Sequence, residues 1–205
     1  MRVVLLSDTH RRHGEIQVPE ADLLIHAGDF SGRGTRSQIQ AFDDWLGSLP
    51  HLHKVVIAGN HDFLFERVAT PQELLQNARY LQDEEVVIGG LRIWGSPWQP
   101  RFFDWAFNLD RGEPLRRVWQ KIPDGIDILV THGPPKGILD RVQRGGEVGC
   151  EELREALRRV RPRLHVFGHI HEAYGQLHLD GTHFVNAASC NLDYQPVNPP
   201  VVVEL

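Results

Sequence analysis

The sequence has little cysteine and no long apolar run, and each shortage excludes a class of protein. Cys150 and Cys190 are the two cysteines among 205 residues, which argues against a disulfide-held fold and indicates a reducing compartment with two free thiols. No run reaches the roughly 18 apolar residues of a transmembrane helix. The first apolar run, residues 3–6, is shorter than the roughly 7–15 residues of a signal-peptide core. We therefore expect a cytoplasmic protein without a membrane partner.

The chain also has fewer basic residues than acidic ones. The chain has 22 Lys and Arg against 27 Asp and Glu, a net charge of −5 at pH 7. A nucleic-acid polymer is therefore disfavoured as a partner, because such polymers are bound through basic surfaces. Histidine, in contrast, is abundant at 12 residues, which makes bound metal worth testing. With 41% hydrophobic residues, the chain is expected to form one domain over residues 1–205. The composition leaves the oligomeric state open.

Five short apolar runs alternate with helical segments. The runs are residues 3–6, 23–25, 55–58, 126–130 and 164–167. Because they do not alternate strictly with polar residues, they predict strands covered on both faces. Apolar residues at a period near 3.6 predict helices over residues 37–48, 113–122 and 151–160. Alternating strands and helices indicate an α/β fold.

Two further segments have the pattern of β-hairpins. Residues 86–94 turn at Gly89 and Gly90, and residues 176–185 turn at Asp180 and Gly181. Residues 201–203 add a last predicted strand. Together these segments predict a second, more antiparallel sheet packed on the first.

Each of the five apolar runs is followed by Asp, His or Asn. Such side chains are expected to meet, because ligands of α/β sheets bind beyond the carboxyl ends of the strands. The seven candidate ligands are Asp8, His10, Asp29, Asn60, His132, His169 and His171. Any one of them alone would be read as a turn or capping residue. Their oxygen and nitrogen donors suit Mn, Fe, Zn or Ni.

The number of candidate ligands favours two ions over one. A structural zinc site needs about four ligands, whereas seven, with one carboxylate shared, serve two ions and leave positions for water and substrate. Two ions about 3.5–4 Å apart clamp the attacking and leaving oxygens at phosphorus and lower the pKa of a bridging water. The pattern therefore indicates a phosphate-ester hydrolase.

The same residues form five short blocks. They are Asp8-x-His10, Gly28-Asp29, Gly59-Asn60-His61-Asp62, Thr131-His132 and Gly168-His169-x-His171. In composition and order these blocks resemble the signature of the calcineurin-like metallophosphoesterase superfamily.

Three longer segments resemble a narrower branch, the small metallophosphoesterase-domain phosphodiesterases similar to class III cyclic nucleotide phosphodiesterases. They are Phe42-x-x-Trp45-Leu46-Gly47-x-Leu49-Pro50, Gly95-Ser96-Pro97-Trp98 with Trp105-Ala106-Phe107, and Thr131-His132-Gly133-Pro134-Pro135.

The resemblance implies a four-layer αββα sandwich, with two mixed sheets flanked by helices and a dinuclear centre at one edge. It assigns the first metal to Asp8, His10, Asp29 and His171, and the second to Asp29, Asn60, His132 and His169. It gives His61 a catalytic role, in which the imidazole binds the phosphate and protonates the leaving group. Substrate binding would also use Asn60 and Arg33, whose guanidinium suits phosphate.

The chain departs from the resemblance at one position. Protein Ser/Thr phosphatases carry Gly-Asp-x-x-Asp-Arg-Gly in the second block, and Gly32 stands here where their second Asp orients the catalytic histidine. Asp62 is predicted to hold the fold rather than to orient His61. The aromatic segment 97–107 either stacks on a substrate base or fastens its loop to the core.

The resulting prediction is a dimetal phosphodiesterase acting on small phosphodiesters, nucleotide or cyclic-nucleotide-like, by attack of a metal-bridging hydroxide. One alternative is a phosphomonoesterase, including a protein phosphatase, which the missing carboxylate at Gly32 weakens. Another is a non-catalytic binding module with this fold. Such modules typically lose metal ligands or the catalytic histidine, and both are present here.

Overall fold

The computed structural model describes residues 1–205 as two stacked β-sheets with helices on their outer faces. In the first sheet the spatial order is β13-β1-β2-β3-β4. Its strands are β1 (Arg2–Leu6), β2 (Leu23–His26), β3 (His53–Val56), β4 (Arg79–Tyr80) and β13 (Val201–Glu204). Strands β1 to β4 are parallel, and β13 pairs antiparallel with β1.

The second sheet has the order β11-β12-β10-β9-β6-β5. Its strands are β5 (Glu84–Ile88), β6 (Leu91–Ser96), β9 (Ile128–Thr131), β10 (Leu164–Phe167), β11 (Gly175–Leu179) and β12 (Thr182–Asn186). The four inner strands are parallel, and the two edge strands are antiparallel to their neighbours. A separate small sheet pairs β7 (Gln99–Pro100) with β8 (Asn108–Leu109).

The helices are α1 (Arg36–Ser48), α2 (Phe63–Arg67), α3 (Glu113–Gln120) and α4 (Glu151–Val160). Thr35 caps α1, and the Cys150 sulfur caps α4 by accepting from the Leu153 amide. Short 3-10 turns cover His13–Glu15, Pro71–Leu74 and His171–Ala173. None of the helices has the length and apolar character needed to cross a bilayer.

Three apolar clusters confirm the predicted four-layer αββα arrangement. The central cluster joins the facing sides of the two sheets, as in Val3 and Ile25 with Ile128 and Val166. The other side of each sheet packs on helices: Phe42 of α1 belongs to the cluster of the first sheet. The third cluster joins the second sheet to α3 and α4. Burial on both faces explains why the strands are apolar without strict alternation.

The predicted division of strands between the sheets is wrong in two respects. The last strand, β13, joins the first sheet, and β9 and β10 lie in the second between the two predicted hairpins. The second sheet is therefore mainly parallel. Helices α3 and α4 provide the crossovers that parallel neighbours require. The sequence did not reveal this division because strands of both sheets are buried on two faces and are equally apolar.

A hydrogen bond joins the two sheets beyond the ends of their strands, and others join neighbouring loops within each sheet. The Ser7 amide donates to the Ala187 carbonyl at 2.9 Å, and the Asp8 amide donates to the Gly28 carbonyl at 2.9 Å. In the second sheet the Gly168 amide donates to the His132 carbonyl at 2.9 Å. The loops after β1, β2, β3, β9 and β10 thus meet at one edge of the sandwich.

Candidate metal centre

The loops at this edge bring the predicted ligands into overlapping groups. Three sets of donor atoms each lie within 4.8 Å of one another. The sets are Asp8, His10 and His171; His10, Asp29 and His61; and Asp29, His132 and His169. His10 and Asp29 each belong to two sets, and Asp29 is the carboxylate shared between the two sides of the site.

On one side, three donor atoms point at a common position. His10 Nε2 lies 3.1 Å from His171 Nε2, and His171 Nε2 lies 3.3 Å from Asp8 Oδ1. Asp8 Oδ1 is buried and accepts no hydrogen bond. An ionised oxygen is costly to bury without a cationic or hydrogen-bonding partner, and a cation held between these three donor atoms would provide one.

On the other side, Asn60 and Asp29 face His132. His132 Nε2 lies 2.9 Å from Asn60 Oδ1 and 3.4 Å from Asp29 Oδ2. The His169 ring meets the His132 ring edge-on, with centroids 5.0 Å apart. The amide oxygen, the carboxylate and the two imidazoles form a donor set suited to a divalent transition metal.

Backbone carbonyls orient two of these imidazoles. His132 Nδ1 donates to the Ala27 carbonyl, and His171 Nδ1 donates to the Asn191 carbonyl, both at 2.9 Å. Since a carbonyl can only accept, each Nδ1 carries a proton, and each Nε2 directs its lone pair into the site when the ring is neutral.

Four of the candidate ligands have a left-handed backbone. Their φ angles are 51° at Asp8, 41° at His10, 56° at Asp29 and 66° at His169. Side-chain-bearing residues rarely adopt this conformation, and it concentrates at functional sites where the surrounding structure enforces it. The strand ends therefore bend sharply to direct these side chains inward.

The buried carboxylates of the centre favour the protonated, positively charged forms of His171 and His132. Burial raises the pKa of Asp8, but contact with His171 outweighs it, so the net pKa is lowered. Burial likewise raises the pKa of Asp29, and the charge of His132 outweighs it. Burial lowers the pKa of His171 and His132, yet Asp8 and Asp29 respectively raise each to about 9. The carboxylates thus stay ionised, as metal ligands must.

His61 lies beside the donor groups and is oriented separately. Its Nδ1 donates to the Gly32 carbonyl at 2.9 Å, and its Nε2 lies 3.9 Å from Asp29 Oδ2. The backbone of Gly32 thus replaces the carboxylate that the phosphatase pattern would supply. Measured by distance alone, His61 is within reach of an ion held by His10 and Asp29.

Asp62 fastens the loops around His61. Its carboxylate accepts from the amides of Gly59, Asp29 and Ser31 at 2.8, 2.9 and 3.0 Å. It also accepts from the Ser31 hydroxyl at 2.6 Å. All of its hydrogen bonds go to the loops after β2 and β3, which agrees with the predicted fold-holding role.

The comparisons with known proteins identify the family. The family model described as calcineurin-like phosphoesterase matches residues 1–173. The chain belongs to the calcineurin-like phosphoesterase family. It is 50% identical to metallophosphoesterase domain-containing protein 1 of Homo sapiens, over 100% of this chain and 71% of that protein. The expected superfamily is therefore confirmed.

Two more distant matches agree with this assignment. A probable cyclic nucleotide phosphodiesterase of Synechococcus is 28% identical, over 80% of this chain and 63% of its own length. One solved crystal structure superposes with a TM-score of 0.70 at 16% identity, covering 99% of this chain and 98% of that one, and so shares the fold. Family membership implies divalent metal ions, and the two donor groups around Asp29 fit them.

A cavity of about 490 Å³ opens beside the centre. Asp29, Asn60, His61, His169 and His171 line its inner end. The remaining walls are mostly apolar or uncharged and come from several loops. They include Pro100, Phe102, Pro134, Val142, Val148, Ile170, Leu192 and Tyr194. Tyr194 was not singled out from the sequence, although its ring packs edge-on against His10 with centroids 4.7 Å apart.

The structure places Arg33 and the aromatic segment together. The Arg33 guanidinium lies 5.4 Å from the centroid of the Trp105 ring, and Arg33 is not among the cavity-lining residues. In the segment itself, Phe102 lines the cavity, whereas Ala106 and Phe107 are buried in the core. The core-fastening interpretation therefore holds for Ala106 and Phe107, and stacking of a ring on a substrate base stays a prediction for Phe102.

Proposed function

We propose that the protein hydrolyses small phosphodiesters of the nucleotide or cyclic-nucleotide kind. The position of His61 carries the proposal. The side chain lines the cavity, its Nδ1 is held by Gly32, and its Nε2 lies beside Asp29. An imidazole placed in this way can give a proton to a departing oxygen from Nε2.

The seven candidate ligands would hold two divalent ions with Asp29 between them. Asp8, His10 and His171 would complete one site, and Asn60, His132 and His169 the other. When bound, divalent ions lower the pKa of a coordinated water and offset charge on the phosphoryl oxygens. Nitrogen and oxygen donors accept Mn, Fe, Zn or Ni.

The charged side chains of the cavity wall favour a diester over a monoester, because Glu172 also lines the wall and both arginines already have hydrogen-bond partners. Arg101 and Arg111 are cationic groups of the wall. Arg101 already donates to Asp110 at 2.7 Å, and Arg111 donates to the Val148 and Gly149 carbonyls at 2.8 and 2.9 Å. A singly charged diester needs fewer further cations to neutralise its charge than a doubly charged monoester does. The apolar walls can accommodate the organic group of such a diester.

The first experiment compares a diester with its matching monoester. Protein stripped with chelator and reloaded with Mn²⁺ is assayed on bis(p-nitrophenyl) phosphate and on p-nitrophenyl phosphate. We expect hydrolysis that the chelator abolishes, with a larger kcat/KM for the diester. A larger kcat/KM for the monoester would reverse the proposed substrate class. No chelator-sensitive hydrolysis of either compound would favour a binding module.

The role of His61 is tested with His61→Ala. Because general acid catalysis contributes about 10²- to 10⁴-fold, kcat should fall by about 10²-fold or more. Bound metal, measured by elemental analysis, should stay at the wild-type level. Loss of metal from this variant would show that His61 acts as a ligand.

A further inference from the structure

Trp105 packs flat against His61. The two ring centroids are 4.2 Å apart and the ring planes differ by 29°. His61 lines the cavity, whereas Trp105 does not. The indole therefore contacts the imidazole away from the space available to substrate. One face of the indole is thus already covered by the His61 ring.

Trp105 is held from several directions. The next residue, Ala106, donates its amide to the Asn60 carbonyl at 3.1 Å, so the aromatic segment is bonded to the loop that carries His61. The amide of Phe107 donates to Glu66 Oε1 at 2.8 Å. Phe63 and the Arg33 guanidinium lie 5.6 Å and 5.4 Å from the indole ring. These contacts hold the indole in place beside His61.

We propose that Trp105 is a positioning residue for His61. The hydrogen bond from Nδ1 to the Gly32 carbonyl fixes one point of the imidazole but leaves its plane free to turn about that point. The flat contact with the indole fixes the plane. Together with the edge-on contact of the His10 ring, whose centroid lies 4.6 Å from that of His61, these restraints determine where Nε2 points. The inference rests on the proposed function, in which Nε2 of His61 protonates the leaving group.

Catalysis by a positioned proton donor is sensitive to small displacements. A misplacement of about 1 Å can cost about 10²-fold in rate. The demand on the donor also depends on the leaving group. p-Nitrophenolate departs readily without a proton, whereas phenolate, whose conjugate acid resembles tyrosine with a pKa of about 10, requires one more strongly. Loss of His61 positioning should therefore slow phenolate departure more than p-nitrophenolate departure.

The kinetic test uses Mn²⁺-loaded wild type, His61→Ala, Trp105→Leu, Trp105→Phe and the control Trp98→Leu. Trp98 belongs to the same segment and packs on Phe107. Substrates are methyl p-nitrophenyl phosphate and methyl phenyl phosphate.

For the phenyl ester, Trp105→Leu should lower kcat about tenfold with little change in KM. This loss is a part of the contribution of general acid catalysis. For the nitrophenyl ester the loss should be smaller. Trp105→Phe, which keeps a flat ring, should recover most of the phenyl-ester rate.

A second readout does not depend on activity. In the metal-free protein, NMR of the His61 ring protons should show an upfield shift caused by the indole. The shift should disappear in Trp105→Leu and persist in Trp98→Leu. Absence of this shift in wild type, or its survival in Trp105→Leu, would overturn the placement.

The outcomes separate this inference from the proposed function. If wild type lacks chelator-sensitive hydrolysis, or His61→Ala slows both esters equally, the proposed role of His61 fails and the positioning role fails with it. If His61→Ala discriminates between the esters and Trp105→Leu does not, only the positioning role is overturned.

Discussion

The imidazole Nδ1 of His61 donates a hydrogen bond to the main-chain carbonyl of Gly32 at 2.9 Å. In the protein-phosphatase pattern a carboxylate side chain stands at this position, and here the backbone supplies the acceptor. A carbonyl fixes the tautomer as a carboxylate does, but it adds no negative charge. The hydrogen-bond restraint on His61 therefore depends on the course of the loop after β2 and not on a side chain at position 32.

Gly32→Ala should therefore change activity and stability very little. A methyl group at Gly32 would meet the Arg11 side chain at 3.4 Å, an ordinary contact, and the carbonyl would remain in place. We expect kcat and the thermal midpoint to stay close to wild type. Gly34→Ala is the matched contrast, because Gly34 has φ +60° and its added methyl would lie 2.8 Å from the Asp62 carbonyl carbon. It should lose at least about 1–2 kcal/mol of stability. A large kcat loss in Gly32→Ala would contradict this account.

Gly59→Ala should weaken metal binding. A methyl group there would lie 2.6 Å from His132 Cε1 and would also overlap the Asp29 carboxylate. Glycine is thus required at position 59, because no side chain fits between the two candidate ligands. We expect less bound metal after reconstitution and dialysis, measured by elemental analysis. Gly14→Ala, where the added methyl meets nothing within 4 Å, is the control. Equal metal content in both variants would show that the ligands can shift without loss of affinity.

The buried His165 should make the fold sensitive to acid. Burial lowers its pKa from 6.5 to about 3, so between these values the unfolded chain binds a proton that the folded chain does not. Stability should therefore fall as the pH drops below about 6.5, by about 2 kcal/mol at pH 5 from this residue. His165→Gln should show a shallower decline in urea midpoints between pH 7 and pH 5. Parallel declines would mean that His165 is protonated in the folded state.

Both thiols should be unreactive in the folded protein. Burial raises the pKa of Cys150 and of Cys190 to about 12, and the reactive species is the thiolate. Iodoacetamide at pH 8 should label neither cysteine in native protein and both in urea, as read by mass spectrometry. Fast native labelling of Cys190 would indicate that the loop after β12 opens readily.

Much of the site was predictable because its polar residues come soon after the apolar strands in the sequence. Asp8, Asp29 and His132 each lie two to four residues beyond the end of an apolar run, and the carboxyl ends of parallel strands meet at one edge of a sheet. The structure brings all seven candidate ligands together there. Their roles as ligands remain a prediction that metal analysis of variants can test.

Other features depend on contacts between segments far apart in the chain. Trp105 reaches His61 across 44 residues, and Arg33 meets Trp105 rather than the cavity wall. Tyr194 reaches His10 from near the end of the chain. Side-chain types and spacing do not reveal such pairs, because the approach depends on how the loops pack.

The sequence by itself determined the residue types that can hold divalent metal ions and the strands that carry them, because apolar runs and polar strand ends are local properties. The tertiary structure decided the partition of strands between two sheets, since both sheets are buried on two faces. It also decided how His61 is oriented. That orientation comes from a main-chain carbonyl and a flat indole, and neither contact is encoded by the residues next to His61.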